Sequence, residues 1–242
     1  MAVQLVVGDD GIGEVVLDRP AVKNAIDGPL GVALAEAVEQ ADARGDVRVL
    51  VLRGAGGAFC SGLDLKAFNA DPAPAWLGEF QHIWRRAHRA LFECSKPIVG
   101  ALERYAINGG AALAAACDLL VAGETAFLQV GEVRIGMAAP YNMAWLSLRH
   151  PEAVVARVAL PGERLAGAEL LALGLAHRVV PDGAVLDAAR GLAGELAGFP
   201  DGGLVRIKAG LRARHEHGAD AWFDRFTASD PVGSAPKPRA MQ

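Results

Sequence analysis

The chain has 242 residues, a formal net charge of -4 and an isoelectric point near 5.9, with 52% of its residues hydrophobic and 21% charged. A chain of this length can bury roughly three-quarters of its unfolded surface in one large domain, and its mild acidity excludes the basic footprint of a nucleic-acid or membrane-surface binder. Cys60, Cys94 and Cys117 are odd in number and lack Cys-x-x-Cys spacing, which argues against a disulfide framework and a zinc site.

Met1 to Leu5 has no basic segment leading into an apolar stretch, so no secretory signal is expected. Val3 to Val7 and Glu14 to Leu17 are β-branched runs separated by Gly8-Asp9-Asp10-Gly11, which predicts a hairpin. Asp27, with Pro29 in the first turn, starts a helix carrying Leu30, Leu34, Val38 and Ala41 on one face and ending near Arg44-Gly45. Val49 to Leu52 lacks polar alternation, the pattern of a strand covered on both sides and paired in parallel. After the loop Asp71-Pro72-Ala73-Pro74, a helix is expected over Ala75 to Phe92, with Trp76, Phe80 and Trp84 as core or as the wall of a ligand pocket. The longest apolar run, Ala111 to Gly123, is broken by Asp118 and falls short of the roughly 20 residues of a membrane span. Beyond Gly136 the pattern is helical, with candidates at Tyr141 to Arg149, Ala166 to Ala172, Ala184 to Leu196 and Leu204 to Arg214. Thr227 to Gln242, with three prolines and a glycine, is expected not to form a helix.

Two stretches carry the chemistry. Gly57-Ala58-Phe59-Cys60-Ser61-Gly62-Leu63-Asp64-Leu65-Lys66 leaves the strand ending at Leu52 and enters a helix near Asp64, and Asn108-Gly109-Gly110 repeats this after the apolar run Ile98 to Leu102. Two glycine-bearing strand-to-helix turns can each aim a backbone N–H at one point, where helix N-termini add positive potential suited to an oxyanion.

The sequence resembles the crotonase (enoyl-CoA hydratase/isomerase) superfamily. Ala58 to Lys66 reproduces its signature without a gap, and the likeness runs from about Val6 to Leu211. It takes in Leu17-Asp18-Arg19-Pro20 with Lys23-Asn24-Ala25, Cys117-Asp118-Leu119, Glu132-Val133-Arg134-Ile135-Gly136, Leu160 to Leu165, and Gly174-Leu175. The resemblance implies an α/β fold: a crotonase-like spiral of ββα units over residues 1–195, a C-terminal helical trimerisation region over 196–226 and a proline-containing tail over 227–242. It also implies an acyl-CoA substrate, a homotrimer or homohexamer, and no cofactor or metal beyond the coenzyme A that the substrate brings. With the absent signal and span, a cytoplasmic protein with no membrane or nucleic-acid partner is expected.

By the same resemblance, the amides of Leu63 and Gly109 hold the thioester oxygen. The first of the two glutamates used by hydratases falls on Ala112, while the second falls on Glu132, with Gly131 in place of the usual proline and one extra residue after Phe127. A lone carboxylate suits the shift of a double bond from the 3- to the 2-position, because one base removes a proton from C2 and returns it at C4. The alternatives are a 2-enoyl-CoA hydratase with a substituted second acid/base, and a non-catalytic acyl-CoA-binding homologue. Lys23, Ala58, Ser61 and Lys66 match positions around the nucleotide of coenzyme A. Asp64 and Asp118 read as caps or loop braces, and Tyr141 and Asn142 as sources of a hydrogen bond replacing what Ala112 lacks. Gly54 to Gly57 lacks the Gly-Lys-[Ser/Thr] of a phosphate loop, Ser61 lacks a nucleophile elbow, and His215 and His217 lack the spacing of a metal-binding helix.

Overall fold

The computed structural model describes residues 1–213 and 218–228. In chain order, β1 (Val3–Val7) and β2 (Ile12–Leu17) lead to α1 (Gly28–Ala43), β3 (Val49–Gly54), a short α2 (Leu65–Phe68) and α3 (Phe80–Glu93). Next come β4 (Ile98–Leu102), β5 (Tyr105–Ile107), α4 (Gly109–Ala116), β6 (Leu119–Gly123), β7 (Phe127–Gln129) and α5 (Pro140–Arg149). The described chain continues through α6 (Glu152–Ala159), β8 (Arg164–Ala166), α7 (Gly167–Ala172), β9 (Arg178–Val180), α8 (Val185–Ala197), α9 (Gly203–Ala213) and α10 (Ala219–Thr227).

The expected hairpin forms between β1 and β2, with Gly11 at φ 79° in the turn and Asp10 accepting from the Ile12 amide at 3.1 Å. The main sheet has the order β1-β2-β3-β4-β6-β9 and is parallel except for that hairpin. Successive side chains of β3 point to opposite faces, and both faces are covered. Val49 and Val51 join Val99, Ala101 and Val121 against Val185, Ala189 and Leu192 of α8. Leu50 and Leu52 belong to the larger core that includes Leu30, Leu34, Val38 and Ala41 of α1. Asp27 caps α1 by accepting from the Leu30 amide at 2.8 Å.

A second layer has the order β5-β7-β8, and Cys60 extends it through a parallel bridge to Ala106. Each turn of the chain thus places a strand in the main sheet, a shorter strand or bridge in the second layer, and then a helix: β3, Cys60 and α2; β4, β5 and α4; β6, β7 and α5. This is the ββα spiral that the sequence led us to expect, and it delivers every second-layer strand to the start of a helix.

The differences from expectation have local causes. The helix expected from Ala75 begins at Phe80, preceded by a 3-10 turn at Leu77–Glu79, because Gly78 is a poor helix former and the Trp76 ring is seated over Gly28. The helical reading beyond Gly136 passed over β8 and β9, whose three residues are too short to show a period. It also named no helix at α6, and none separately at α10 within the helical region expected over 196–226; α10 buries Trp222 and Phe223 against α5 and α3 and ends at Thr227. Arg214, His215, His217 and residues 229–242 of the tail lie outside the described residues. Among those described, no helix is long and apolar enough to cross a membrane.

Asp118 braces the layers, as its motif suggested. Its carboxylate accepts from the Ile98 amide at 2.9 Å and pairs with Lys208 of α9 at 2.8 Å, Arg149 of α5 at 3.2 Å and Arg212 at 3.6 Å. Burial raises its pKa, but the charges of Lys208 and Arg149 outweigh this and hold it below the usual range. Asp118→Ala strands buried cations and is expected to cost about 3–5 kcal/mol in urea unfolding. The depressed folded pKa means that Asp118's pH-dependent contribution in the wild type persists above about pH 4 and is lost as pH falls further, so the stability gap between the two proteins should narrow only in acid.

Candidate active site

The two glycine-bearing turns meet. Gly62 has φ 91°, and a methyl group built on it would stand 3.0 Å from the Ile107 carbonyl oxygen and 3.5 Å from Asn108 Cβ. A methyl group on Gly110 would stand 2.6 Å from the Cys60 carbonyl oxygen and 2.8 Å from Cys60 Cβ. Only glycine permits both approaches.

Around Leu63 the chain is pinned on both sides by Ile26, whose amide donates to the Gly62 carbonyl and whose carbonyl accepts from the Asp64 amide, each at 2.8 Å. The Leu63 amide itself donates to no protein group among the described residues. Gly109 is the first residue of α4, so helix geometry leaves its N–H without an intrahelical acceptor, and it too has no partner among the described residues. Two adjoining turns therefore each leave a main-chain donor unused.

The first turn is held by the Arg19-to-Asn24 segment. Asn24, fully buried at φ 55°, donates to the carbonyls of Ala55 at 2.9 Å and Ala58 at 2.7 Å and accepts from the Arg19 amide at 2.8 Å. Arg19 pairs with Asp27 at 2.9 Å and Asp64 at 3.1 Å. Asp64 also caps α2 by accepting from the Ala67 amide at 3.0 Å, the brace role that its motif suggested. Cys60 donates its thiol to the Asn24 carbonyl at 3.1 Å, and burial pushes its pKa to about 12, so it is no nucleophile.

Glu132 opens a 3-10 turn after β7, and the extra residue before it does not turn its carboxylate outward. Its Oε1 accepts from Asn142 Nδ2 at 3.0 Å, while Oε2 is buried with no partner among the described residues. Burial raises the pKa of Glu132 to about 7, opposed by its own backbone amide and by the Asn142 amide. Asn108 joins this segment to the second turn: its amide donates to the Gln129 carbonyl at 2.8 Å, its Oδ1 accepts from the Gly131 amide at 2.9 Å, and its carbonyl accepts from Asn142 at 3.0 Å. Ala112, where a second carboxylate was looked for, is fully buried inside α4.

Trp84 approaches within 3.8 Å of a Cβ built on Gly109 and continues an aromatic series through Phe80, Phe68 and Trp76, so this row packs as core beside the Gly109 turn. Lys23 and Lys66 are exposed and free of ion pairs among the described residues. Ala58 is buried, and the Ser61 amide donates to the Lys23 carbonyl at 3.1 Å. The roles of Asn24 and Asn108 went unread in the sequence, although both stand in the quoted motifs; their signal is a polar residue at positive φ beside a glycine turn.

Spiral, paired turns and buried carboxylate define a protein of the crotonase fold. The sequence model for "Enoyl-CoA hydratase/isomerase" matches residues 8–222, and the chain belongs to that family of enzymes. It is 32% identical to a carnitinyl-CoA dehydratase of Proteus mirabilis over 206 residues, covering 84% of this chain and 77% of that one. It is 29% identical to a 1,2-epoxyphenylacetyl-CoA isomerase of Escherichia coli over 220 residues, covering 89% and 84% of the two chains. Its structure is similar to the crystal structure of an enoyl-CoA hydratase from Mycobacterium avium subsp. paratuberculosis, with a TM-score of 0.84, 25% identity and coverage of 98% and 92%.

The contacts of the two glycines predict an order of damage. Gly110→Ala pushes a methyl group into backbone and should destabilise by about 1–3 kcal/mol. Gly109→Ala meets the flexible end of Ile26 at 2.9 Å and should lose less. Thermal unfolding of the two variants checks the order.

Proposed function

We propose that this protein moves a proton along the acyl chain of an enoyl-CoA thioester by way of an enolate, shifting a 3-enoyl to a 2-enoyl double bond. The amides of Leu63 and Gly109 hold the thioester oxygen, where negative charge grows only as the C2 proton leaves. Glu132 is the single acid/base: it removes the C2 proton and returns it at C4. The observation that carries this reading is the buried Glu132 carboxylate, whose pKa is raised by burial to about 7. Ala112 supports it by lacking the second carboxylate that would share a water.

Lys23 and Lys66, exposed beside the first turn, suit the phosphates of coenzyme A, and the backbone around Ala58 and Ser61 suits its adenine. The same reading makes the protein a homotrimer or homohexamer and cytoplasmic. Support for assembly comes from α9, which exposes Ile207 at 65% and Leu211 at 58% one turn apart.

One observation favours a second reading, hydration of a 2-enoyl thioester. Glu132 Oε2 and Asn142 Oδ1 are both buried acceptors without a partner among the described residues, and a water could donate to either.

The thioester's conjugated absorbance separates these outcomes. A gain with 3-enoyl-CoA supports isomerisation and a loss with 2-enoyl-CoA supports hydration, whereas binding without either change overturns both in favour of passive binding. Glu132→Gln should lower kcat by about 10²–10⁴ with KM nearly unchanged. As a base, Glu132 must be ionised, so kcat/KM in the wild type should fall tenfold per pH unit below about pH 7 and level off above it.

A further inference from the structure

Asn142 lies in the first turn of α5 and is 2% exposed. Its amide nitrogen is 3.0 Å from the Asn108 carbonyl oxygen and 3.0 Å from Glu132 Oε1. A primary amide has two N–H groups, and here both are used. The orientation is dictated by chemistry: a main-chain carbonyl only accepts, so nitrogen and not oxygen must face Asn108. The same nitrogen then faces Oε1, which must accept in either protonation state of the carboxyl group.

From this geometry we infer that Asn142 is a positioning residue that confines the transferred proton to Oε2 of Glu132. This rests on the proposed role of Glu132 and adds an atom to it. A neutral carboxyl group carries one O–H. With Oε1 held as an acceptor, that O–H forms on Oε2, the oxygen without a protein partner among the described residues. As the C2–H bond breaks, its electron pair passes into the enolate and its proton onto Oε2. As the C4–H bond forms, the same O–H gives the proton back. Through both steps Oε1 keeps its bond to Asn142.

The bridge has a second effect. Asn108 directly precedes Gly109 and accepts from Asn142 and from the Ala112 amide at 3.1 Å. One side chain thus ties the carboxylate to the backbone turn that presents the Gly109 amide, coupling base and oxyanion donor in one frame.

Other ionisable groups lie nearby. Arg134, on the turn of Glu132, donates to the Gly162 carbonyl at 2.8 Å. Tyr141, beside Asn142 on α5, is pushed up by burial, which Arg85 of α3 opposes, and remains neutral. His88 of α3, stacked on Tyr141 at 4.1 Å, accepts from the Trp145 indole at 2.8 Å, and burial keeps it neutral. α4 offers only alanine, glycine and leucine.

The test follows the Glu132 carboxyl carbon by 13C NMR against pH, its signal assigned by loss in Glu132→Gln. The Asn142 amide favours the charged form, so its removal should raise the midpoint, by about one pH unit in both Asn142→Ala and the volume-keeping Asn142→Leu. The acid limb of the kcat profile should move by the same amount, with kcat down about tenfold or more and KM within about threefold. A lower unfolding temperature with an unmoved midpoint and limb means a merely structural side chain and overturns the inference. If neither variant folds, the wild-type side-chain amide signal of Asn142 decides: it should titrate with the midpoint of Glu132, and a flat response overturns the inference. The NMR readings need no turnover, so a wild type inactive on enoyl-CoA sinks the proposed function alone, while an unmoved midpoint sinks the positioning role alone.

Discussion

The site depends on a contact between two stretches of main chain that no side chain may enter. Gly110 lies against the Cys60 carbonyl and Gly62 against the Ile107 carbonyl, so the start of α4 and the turn after β3 share one small space. A single methyl group at Gly110 would force backbone apart. Because the second layer runs from Cys60 to β5, β7 and β8, whatever holds these turns together also holds β7 and the segment leading to Glu132. The unused amides of Leu63 and Gly109 are main-chain groups on this frame, so their placement depends on the backbone that Gly62 and Gly110 allow. Preorganisation of this kind does not have to be assembled as the charge forms.

Around that frame, polar side chains do work that secondary structure cannot. Asn24, Asn108 and Asn142 each bond to the main chain of a distant segment: Asn24 donates and accepts, Asn108 accepts through Oδ1 and Asn142 donates through Nδ2. Asn24 and Asn108 hold positive φ, a conformation asparagine tolerates better than most residues. Burial acts on Glu132 in the opposite sense to the Asn142 bond: the first favours the neutral form and the second the charged form. Their balance leaves the pKa of Glu132 at about 7.

Much of the fold was legible because it is local. Val49 to Leu52 shows both-sided burial in four letters, Asp27 and Pro29 announce α1, and glycines mark both turns. Glu132 was legible through its motif rather than its surroundings. Asn142 Nδ2 bonds to Glu132 ten residues away and to Asn108 thirty-four residues away, and such contacts leave no periodic trace. β8 and β9 gain their strand character from neighbours in the sheets, not from their own three residues. α10 was hidden by its polar residues, yet Trp222, Phe223 and Phe226 lie at helical spacing and carried the signal.

The central claim is that two separate main-chain amides hold one thioester oxygen. The most direct measurement is the 1H–15N spectrum of the protein as a 3-ketoacyl-CoA is added, since such a thioester enolises readily and places negative charge on that oxygen. The account predicts that the Leu63 and Gly109 amide signals move downfield together and saturate at the same ligand concentration. If the ligand binds and these two signals stay in place, or only one responds, the account is contradicted.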